Sequence, residues 1–510
     1  MNHHCPVGYA AGTDANHHRL RITSVPEYHA TCESERGSDQ LSAMPVFLQG
    51  YVMTNDKNPS PHKMGLSTLT IMTASNMMGS GVFMLPATLA GVGSVSVWGW
   101  TLTFPGVIIL ALIFNKINAI QPQNGGIIAN IGHCFGPFIG LQMTLFYWLS
   151  TWIGNCALLL ASISYLSGLI PGLSTPAGAF CGCMILLWLS VIFGLFGVRL
   201  VGGAQIITGS CMMLVILSVA VCGWFHFSPH NYLAAYNVSG QSQTRAIFHA
   251  ATLSMWGFLG MESASVSSGQ VRNPRRTIPL ATLAGLGIAL LCYLVSSNAI
   301  MGLLPHSQLV VSASPFADSA RLLWGSRAAQ LVSLLVVIAC IGAIPGWQIL
   351  QTEVPRAAAG AGLFPAVFGK TNRFGVPWVA LIFTSVLMSG VLLMTLSADL
   401  QSQFRTVIGL AVSASLFPYA FAALSLPVML IRLSASRRNI SGWVLMALVA
   451  LTFVSLAIIS GQSDTLVCGI LIQMATLPLY LLYTSRRKKP ALQEKSGQPA
   501  ALLAEYKESP

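Results

Sequence analysis

The stretch Asn76-Met-Met-Gly-Ser-Gly81 interrupts the middle of an apolar run that extends over about residues 65–89. Two glycines and a serine at mid-membrane depth weaken a helix, and backbone groups released from the helical ladder must find other partners. Transporters use such breaks as binding sites, because the second half-helix offers free N–H groups to a carboxylate while unwound carbonyls accept from an ammonium. Close helix packing at small residues is the alternative interpretation, and this motif alone leaves both open.

A second interruption, Trp256-Gly-Phe-Leu-Gly-Met-Glu-Ser263, lies in a later apolar run and carries an acid. A carboxylate inside a membrane span is costly and usually functional. Burial favours the neutral form of a carboxyl group, so Glu262 is expected to take up a proton at mildly acidic pH. A Glu bonded to backbone near an interface is the structural alternative. The two interrupted runs stand at corresponding places in two five-segment halves, a pattern typical of inverted-repeat transporters.

The composition indicates a membrane protein. Of the 510 residues, 54% are hydrophobic and 8% are charged, whereas soluble domains carry about a quarter charged residues. Only Glu262 and Glu353 of the 14 acidic residues fall inside apolar runs. This argues against a soluble enzyme or a nucleic-acid-binding protein, although the net charge is +12. The eleven cysteines are scattered, and the pair Cys181-Gly-Cys183 has no His partner at metal-ligand spacing, so neither a metal nor a cofactor is expected.

Twelve apolar runs are long enough to cross a bilayer, which takes about twenty residues. We number them as segments 1 to 12, and they lie at roughly 65–89, 94–115, 137–168, 176–198, 204–225, 246–269, 277–303, 328–353, 376–396, 405–430, 441–461 and 465–484.

The basic residues between these segments predict their orientation. Sixteen lie on one side, of which twelve fall between Lys63 and Arg438 and four follow the last segment at 486–489. Four lie on the other side, namely Arg245, Arg321, Arg327 and Arg405. Because cytoplasmic loops are enriched in Lys and Arg, both termini are expected in the cytoplasm, with the chain in the bacterial inner (plasma) membrane.

The chain divides into three parts. Residues 1–62 are polar and are expected to form a disordered extension, and 63–485 are expected to form the twelve-helix transporter domain. Residues 486–510 are expected to form a polar cytoplasmic tail. Met53 begins a short polar leader into segment 1. Translation is expected to start there, which would leave residues 1–52 without function.

Two tryptophans and a second acid complete the candidates inside the segments. Trp256 and Trp347 lie well within segments 6 and 8, away from the interfaces where Trp normally anchors. An aromatic face attracts a cation, so together with the breaks and the acid they favour a cationic substrate that also has a carboxylate. Either tryptophan alone favours a packing role, since most buried tryptophans fill space. Glu353, near the end of segment 8, is expected to snorkel to the interface or to pair with Arg356 rather than to serve transport.

Six stretches carry a resemblance to a known family. They are Asn76-Met-Met-Gly-Ser-Gly-Val-Phe-Met-Leu-Pro86, Tyr147-Trp-Leu-Ser-Thr-Trp-Ile-Gly-Asn155, Trp256-Gly-Phe-Leu-Gly-Met-Glu-Ser-Ala-Ser-Val266, Val271-Arg-Asn-Pro-Arg-Arg276, Val311-Ser-Ala-Ser-Pro-Phe316 and Gly362-Leu-Phe-Pro365. On these residues the chain resembles the basic amino acid/polyamine antiporters of the amino acid–polyamine–organocation superfamily, and in particular the bacterial arginine/agmatine antiporters. The resemblance extends from about Lys63 to about residue 485.

The resemblance implies an all-α, polytopic fold with a 5+5 inverted-repeat core, in which helices 1 and 6 are broken, and two extra helices. It implies a homodimer, and one-for-one exchange of an external amino acid for its internal decarboxylation product. In such a site Ser80 and the amide of Gly81 would hold the substrate carboxylate. The backbone carbonyls of Met77, Trp256 and Leu259 would take the α-ammonium.

The side-chain end of the substrate would occupy a second group of residues. Trp347 would stack on the side-chain cation, with Asn155 beside it. Three further pocket positions are implied, namely Ser150, Thr151 and Ala411.

The gates are also implied by the resemblance. Trp256 would close the outer side and Trp347 would take part in gating, whereas Tyr147 and Tyr419 would lie toward the inner gate. Glu262 looks like the acid-sensing carboxylate of the family.

The chain departs from the arginine branch at five positions. Ser150 and Thr151 replace Ala and Cys, Ala411 and Gly257 each replace a serine, and Ile128 replaces a gate tyrosine. Two pocket positions gain a hydroxyl and one loses it, so the polar groups around the cation are rearranged.

The leading hypothesis is import of arginine in exchange for agmatine, coupled to a cytoplasmic amino acid decarboxylase and supporting acid resistance. Lysine/cadaverine or ornithine/putrescine exchange is the alternative within the same class. A channel or an amino acid sensor is more distant, because the chain has no ring of charge, no repeated filter motif and no sizeable extramembrane domain. An enzyme is not expected, because no nucleotide-binding loop or nucleophile–base arrangement is visible.

Overall fold

The computed structural model describes residues 64–121, 126–266, 271–393, 396, 400–434, 436–460 and six residues of segment 12, at 474, 476–478, 480 and 481. Regular structure in these ranges is helical, apart from an isolated bridge between Met64 and Val271. The predicted extension at 1–62, the start at Met53, the tail at 486–510 and most of segment 12 lie outside the described residues.

Segments 1 to 11 form the helices that their apolar runs predict. The bounds are Leu66–Met78 and Gly81–Ala90 (segment 1), Ser96–Ile120 (2), Pro137–Ser167 (3), Pro176–Gly194 (4), Val198–Phe225 (5), Gln243–Met255 and Ser263–Val266 (6), Pro274–Leu303 (7), Ser326–Gly360 (8), Trp378–Leu393 (9), Leu400–Arg432 (10) and Arg437–Ser460 (11).

The all-α, multi-pass fold is confirmed in the described part of the chain. There, eight helices are long and apolar enough to cross a membrane, those of segments 2 to 5, 7, 8, 10 and 11. Segment 9 is a shorter apolar helix. Segments 1 and 6 are absent from the eight because each is divided into shorter pieces. The connections contain short helices, namely Gly126–Phe135, Pro229–Ala234, His306–Leu309 and Pro315–Trp324.

Segment 3 is the central helix of the bundle. Its sequence is apolar or small on all sides, which is typical of a helix that is buried all round. Within its apolar window 89% is buried inside the protein, against 22% for segment 11. Segments 8 and 10 pack along its length, so side chains from these three helices meet in the interior.

The breaks in segments 1 and 6 are both observed. Segment 1 stops at Met78, and Gly79 takes φ 32°, a conformation that residues with a Cβ rarely adopt. In segment 6 a 3₁₀ turn at Trp256–Phe258 is followed by Leu259 in extended conformation and Gly260 at φ 94°. The prediction that glycines break these two segments is therefore confirmed.

A backbone hydrogen bond joins the start of segment 1 to the chain that follows segment 6. The amide of Arg272 donates to the carbonyl of Met64 at 3.0 Å. Leu69 and Ile278 belong with Val271 to a small separate apolar cluster beneath this contact. The start of segment 1, the chain after segment 6 and the start of segment 7 are thereby held together.

Candidate substrate site

The carbonyls released by the break in segment 1 are taken up by two aromatic side chains. The indole Nε1 of Trp347 donates to the carbonyl of Asn76 at 3.0 Å. The hydroxyl of Tyr293 donates to the carbonyls of Met77 and Met78 at 3.0 and 3.3 Å. A carbonyl oxygen has two lone pairs, so Met77, an expected ligand of the α-ammonium, can still accept from a substrate.

The other side of the same break presents donors. Gly81 begins the second half-helix, and the first N–H groups of a helix have no partner within it. The hydroxyl of Ser80 is buried and has no hydrogen-bond partner among the described residues. With the positive end of the helix dipole, these groups suit a carboxylate, which is the role expected of Ser80 and Gly81.

The indole ring of Trp256 lies between segments 1 and 3. Its Nε1 and Cδ1 would be 3.4 Å from a Cβ on Gly81, and its Cη2 would be 3.3 Å from a Cβ on Gly154. The ring therefore fits between two glycines and closes one side of the site. Its Nε1 is buried without a hydrogen-bond partner among the described residues.

A cavity of about 270 Å³ lies against Trp256, where segment 1 ends and segment 10 begins. Thr88, His249, Arg405 and Ser413 line it together with Trp256. Trp256 thus lies between this cavity and the helix breaks, as expected for an outer gate.

The opposite side of the site is closed by a carboxylate and two phenols. Tyr147 donates to Oε1 of Glu262 at 2.6 Å, and Tyr419 donates to Oε2 at 2.7 Å. Glu262 is 2% exposed, so this contact joins segments 3, 6 and 10 in the interior. The structure brings together the three residues that were expected at the inner gate, and side chains from segments 3 and 10 reach both oxygens of the carboxylate.

The expected side-chain end of the site lies between segments 3, 8 and 10. Asn155 is fully buried, and its Nδ2 donates to the carbonyl of Ile344 and to Oε1 of Gln351, both at 3.4 Å. Ile344 and Gln351 are one turn before and one turn after Trp347, so Asn155 lies level with that tryptophan. Trp347 itself is 4% exposed.

The two additional hydroxyls are occupied by backbone carbonyls. Ser150 donates to the carbonyl of Ala411 at 2.8 Å, and Thr151 donates to the carbonyl of Trp148 at 2.7 Å. Toward a substrate these hydroxyls therefore act as acceptors. The bond from Ser150 to the carbonyl of Ala411 also joins segment 3 to segment 10. It does so at the position where the arginine branch has a serine and this chain has Ala411.

Glu353 lies apart from the site. Its Oε2 is 2.6 Å from Nη2 of Arg356 and accepts from Nε at 2.8 Å. The expected pair is confirmed.

Three residues of this region escaped the sequence analysis, namely Gln205, Tyr293 and Gln351. Gln205 in segment 5 donates to Oδ1 of Asn76 at 3.0 Å. A signal existed for each glutamine, because an uncharged amide within an apolar segment is costly without a partner. Tyr293 gave no such signal, since a tyrosine in a helix is ordinary.

A family model described as amino acid permease matches residues 64–484. The chain belongs to the amino acid permease family.

Two curated relatives are similar over most of their length. A protein named cadaverine/lysine antiporter, from Escherichia coli K12, is 33% identical over 372 residues, which cover 72% of this chain and 84% of the relative. A protein named putrescine transporter PotE, from the same strain, is 29% identical over 83% of this chain and 97% of its own. This amino acid permease is accordingly a multi-pass membrane transporter and not an enzyme, and its resemblance to basic amino acid/polyamine antiporters is confirmed.

Proposed function

We propose that this permease exchanges an external basic amino acid for its internal decarboxylation product, across the bacterial inner membrane and with both termini in the cytoplasm. The observation that carries the proposal is a site closed on both sides, by Trp256 against Gly81 and Gly154, and by Glu262 between Tyr147 and Tyr419. An exchanger must close around each substrate before the other side opens, and these contacts supply one gate for each side.

The site offers complementary groups along the length of a basic amino acid. Ser80 and the amide of Gly81 would receive the carboxylate, and the carbonyls of Met77, Trp256 and Leu259 the α-ammonium. The face of Trp347 and the oxygens beside it would receive the distal cation. A decarboxylated product lacks the carboxylate but keeps both cations, so it fits the same site with the donors of segment 1 unused.

Lysine in exchange for cadaverine is the first candidate pair. The relative that is 33% identical has that activity in its name. The pocket departs from that of the arginine branch, because two hydroxyls are added at Ser150 and Thr151 and one is missing at Ala411.

Arginine in exchange for agmatine is the second candidate. The buried face of Trp347 favours it, because a planar guanidinium stacks on an aromatic ring. In both cases a cytoplasmic decarboxylase that consumes a proton would supply the internal substrate, and the exchange would support acid resistance. We further propose a homodimer, as the resemblance implies.

Exchange in proteoliposomes tests the proposal. The purified permease is reconstituted with cadaverine, putrescine or agmatine inside, and uptake of labelled lysine, ornithine and arginine is followed. We expect lysine uptake that requires internal cadaverine. Arginine uptake that requires agmatine and resists excess lysine would instead establish the second pair. Uptake into vesicles without any internal amine would contradict exchange.

A further inference from the structure

Gln351 is a fully buried amide one helical turn beyond Trp347, toward the Glu262 side of segment 8. Residues four apart in a helix lie on the same face. Its Oε1 accepts from Nδ2 of Asn155, and its backbone carbonyl accepts from the indole of Trp148 at 3.0 Å. Gln351 is thus fixed against segment 3 beside the expected position of the substrate's distal cation.

The contacts of Asn155 determine which way its amide faces. Nδ2 lies between two acceptors, Oε1 of Gln351 and the carbonyl of Ile344. A flipped amide would place Oδ1 against both of these oxygens, which is repulsive. Oδ1 therefore points away from Gln351, and it is buried without a hydrogen-bond partner among the described residues.

An acceptor in such surroundings is best satisfied by a charged donor. A buried oxygen without a donor carries a desolvation penalty. The distal ammonium or guanidinium of a basic substrate, stacked on Trp347, would supply that donor through a charge-assisted bond. A neutral side chain of the same length would leave the oxygen unsatisfied.

We propose that Gln351 is a positioning residue for substrate selection, which holds Asn155 so that its oxygen, and not its NH₂ group, faces the distal cation. This inference rests on the proposed function, because it assigns a determinant for the cation at the same site. Without the acceptor at position 351, only the carbonyl of Ile344 still orients the amide of Asn155. The amide then turns more readily and presents a donor, which repels a cation.

Segment 8 provides a matched control. Gln348 is also buried, and its Nε2 donates to Ser190 of segment 4 at 2.8 Å, away from Asn155. The two variants Gln351→Leu and Gln348→Leu each remove one buried amide from the same helix. They differ in whether the lost amide contacts Asn155.

The experiment compares lysine with norleucine, which has the same chain without the distal amine. In proteoliposomes loaded with cadaverine, we expect Gln351→Leu to raise the KM for lysine about tenfold or more, the weight of a charge-assisted hydrogen bond. Inhibition by norleucine should change less than about twofold, because the carboxylate and α-ammonium contacts remain. Gln348→Leu should leave the ratio of lysine to norleucine affinity as in the wild type.

A conservative variant separates positioning from packing. Gln351→Glu retains an oxygen that accepts from Asn155, so it should keep the preference for lysine over norleucine. Equal losses of lysine and norleucine affinity in Gln351→Leu, or an unchanged KM for lysine, would overturn the inference. If wild-type permease exchanges no basic amino acid in the same vesicles, the proposed function fails; if the wild type exchanges one and the ratio does not respond to Gln351→Leu, only this inference fails.

Discussion

At the scale of single residues, Trp347 combines two roles. Its Nε1 donates to the carbonyl of Asn76 in the break of segment 1, and its Cζ2 would be 3.2 Å from a Cβ on Gly260 in the break of segment 6. The ring is therefore held against both breaks while its remaining surface is available to a substrate cation. An aromatic ring in a dry site attracts a cation by up to about 2 kcal/mol.

We expect Trp347→Leu to abolish measurable binding of the basic substrate. Loss of the stacking and of the bond to Asn76 together remove about 3 kcal/mol, which is roughly a hundredfold in affinity. Equilibrium binding to purified protein measures the change. Trp98→Leu, at a tryptophan that is 51% exposed, is the control. Retained affinity in Trp347→Leu would remove the cation-stacking role.

Glu262 is the second residue whose chemistry can be tested alone. Its two oxygens each accept from a tyrosine, which requires an unprotonated carboxylate at both positions. Proton uptake converts one oxygen into a donor and removes the negative charge, so one bond must reverse its direction and both bonds weaken. The inner gate should therefore loosen in acid. We expect wild-type exchange to accelerate from neutral to mildly acidic pH.

The variant Glu262→Gln should exchange at a rate that no longer depends on pH. An amide always offers one acceptor and one donor and carries no charge, so its bonds to the two tyrosines are already as weak as those of the protonated acid. Glu353→Gln is the matched control, because Glu353 pairs with Arg356 away from the gate. A pH dependence that persists in Glu262→Gln would exclude this carboxylate as the sensor.

At the scale of elements, Tyr293 of segment 7 holds the two broken segments together. Its hydroxyl bonds the carbonyls of segment 1, and its ring occupies the space beside Gly257 in segment 6, where a Cβ would be 2.8 Å from Cζ. Trp100 stacks on the other face of the ring at 5.0 Å between centroids. The glycine at 257, where the arginine branch has a serine, is explained by this close approach.

Restoring that serine should therefore destabilise the protein. In Gly257→Ser the ring of Tyr293 must shift, and overpacking of this kind costs about 1–3 kcal/mol. Thermal unfolding in detergent measures the loss. Gly287→Ser is the control. Gly287 lies in segment 7, the helix of Tyr293, and nothing lies within 4 Å of a Cβ at this position. Equal melting temperatures for the two variants would contradict the close approach.

The breaks could be predicted from sequence, whereas most of their partners could not. Gly79 and Gly260 could be predicted as breaks because glycine pairs stand at corresponding places in two five-segment halves. Glu262 could be predicted as functional because an acid in a membrane is costly. The partners Tyr293 and Gln205 come from segments 7 and 5, and only the packing of helices determines which side chain reaches a given carbonyl or amide. More of the fold than of the pocket could therefore be predicted from the sequence.

At the scale of the whole molecule, the two contacts that we propose as gates lie on opposite sides of the break in segment 6. Trp256 and Glu262 are six residues apart in segment 6, on either side of its break. A movement of segment 6 that lifts Trp256 from Gly154 would leave Glu262 paired with Tyr147 and Tyr419, and the reverse movement would do the opposite. The break makes the two halves mechanically separable. Alternating access then follows from which half moves.

Exchange by such a site is expected to be electrogenic. A basic amino acid carries one net positive charge and its decarboxylation product carries two, so each one-for-one cycle exports one positive charge. An inside-negative potential of 100 mV opposes this by about 2.3 kcal/mol, which is roughly fiftyfold in the equilibrium gradient. We expect an inside-positive potential, set by potassium and valinomycin, to drive lysine into cadaverine-loaded vesicles and an inside-negative one to retard it. Lysine–lysine exchange moves no net charge and serves as the control, in vesicles loaded with lysine instead of cadaverine and held at the same potentials. If hetero-exchange were as insensitive to the potential as homo-exchange, a compensating ion would have to move through the permease, and the one-for-one exchange of these two substrates would be incomplete as a description of its cycle.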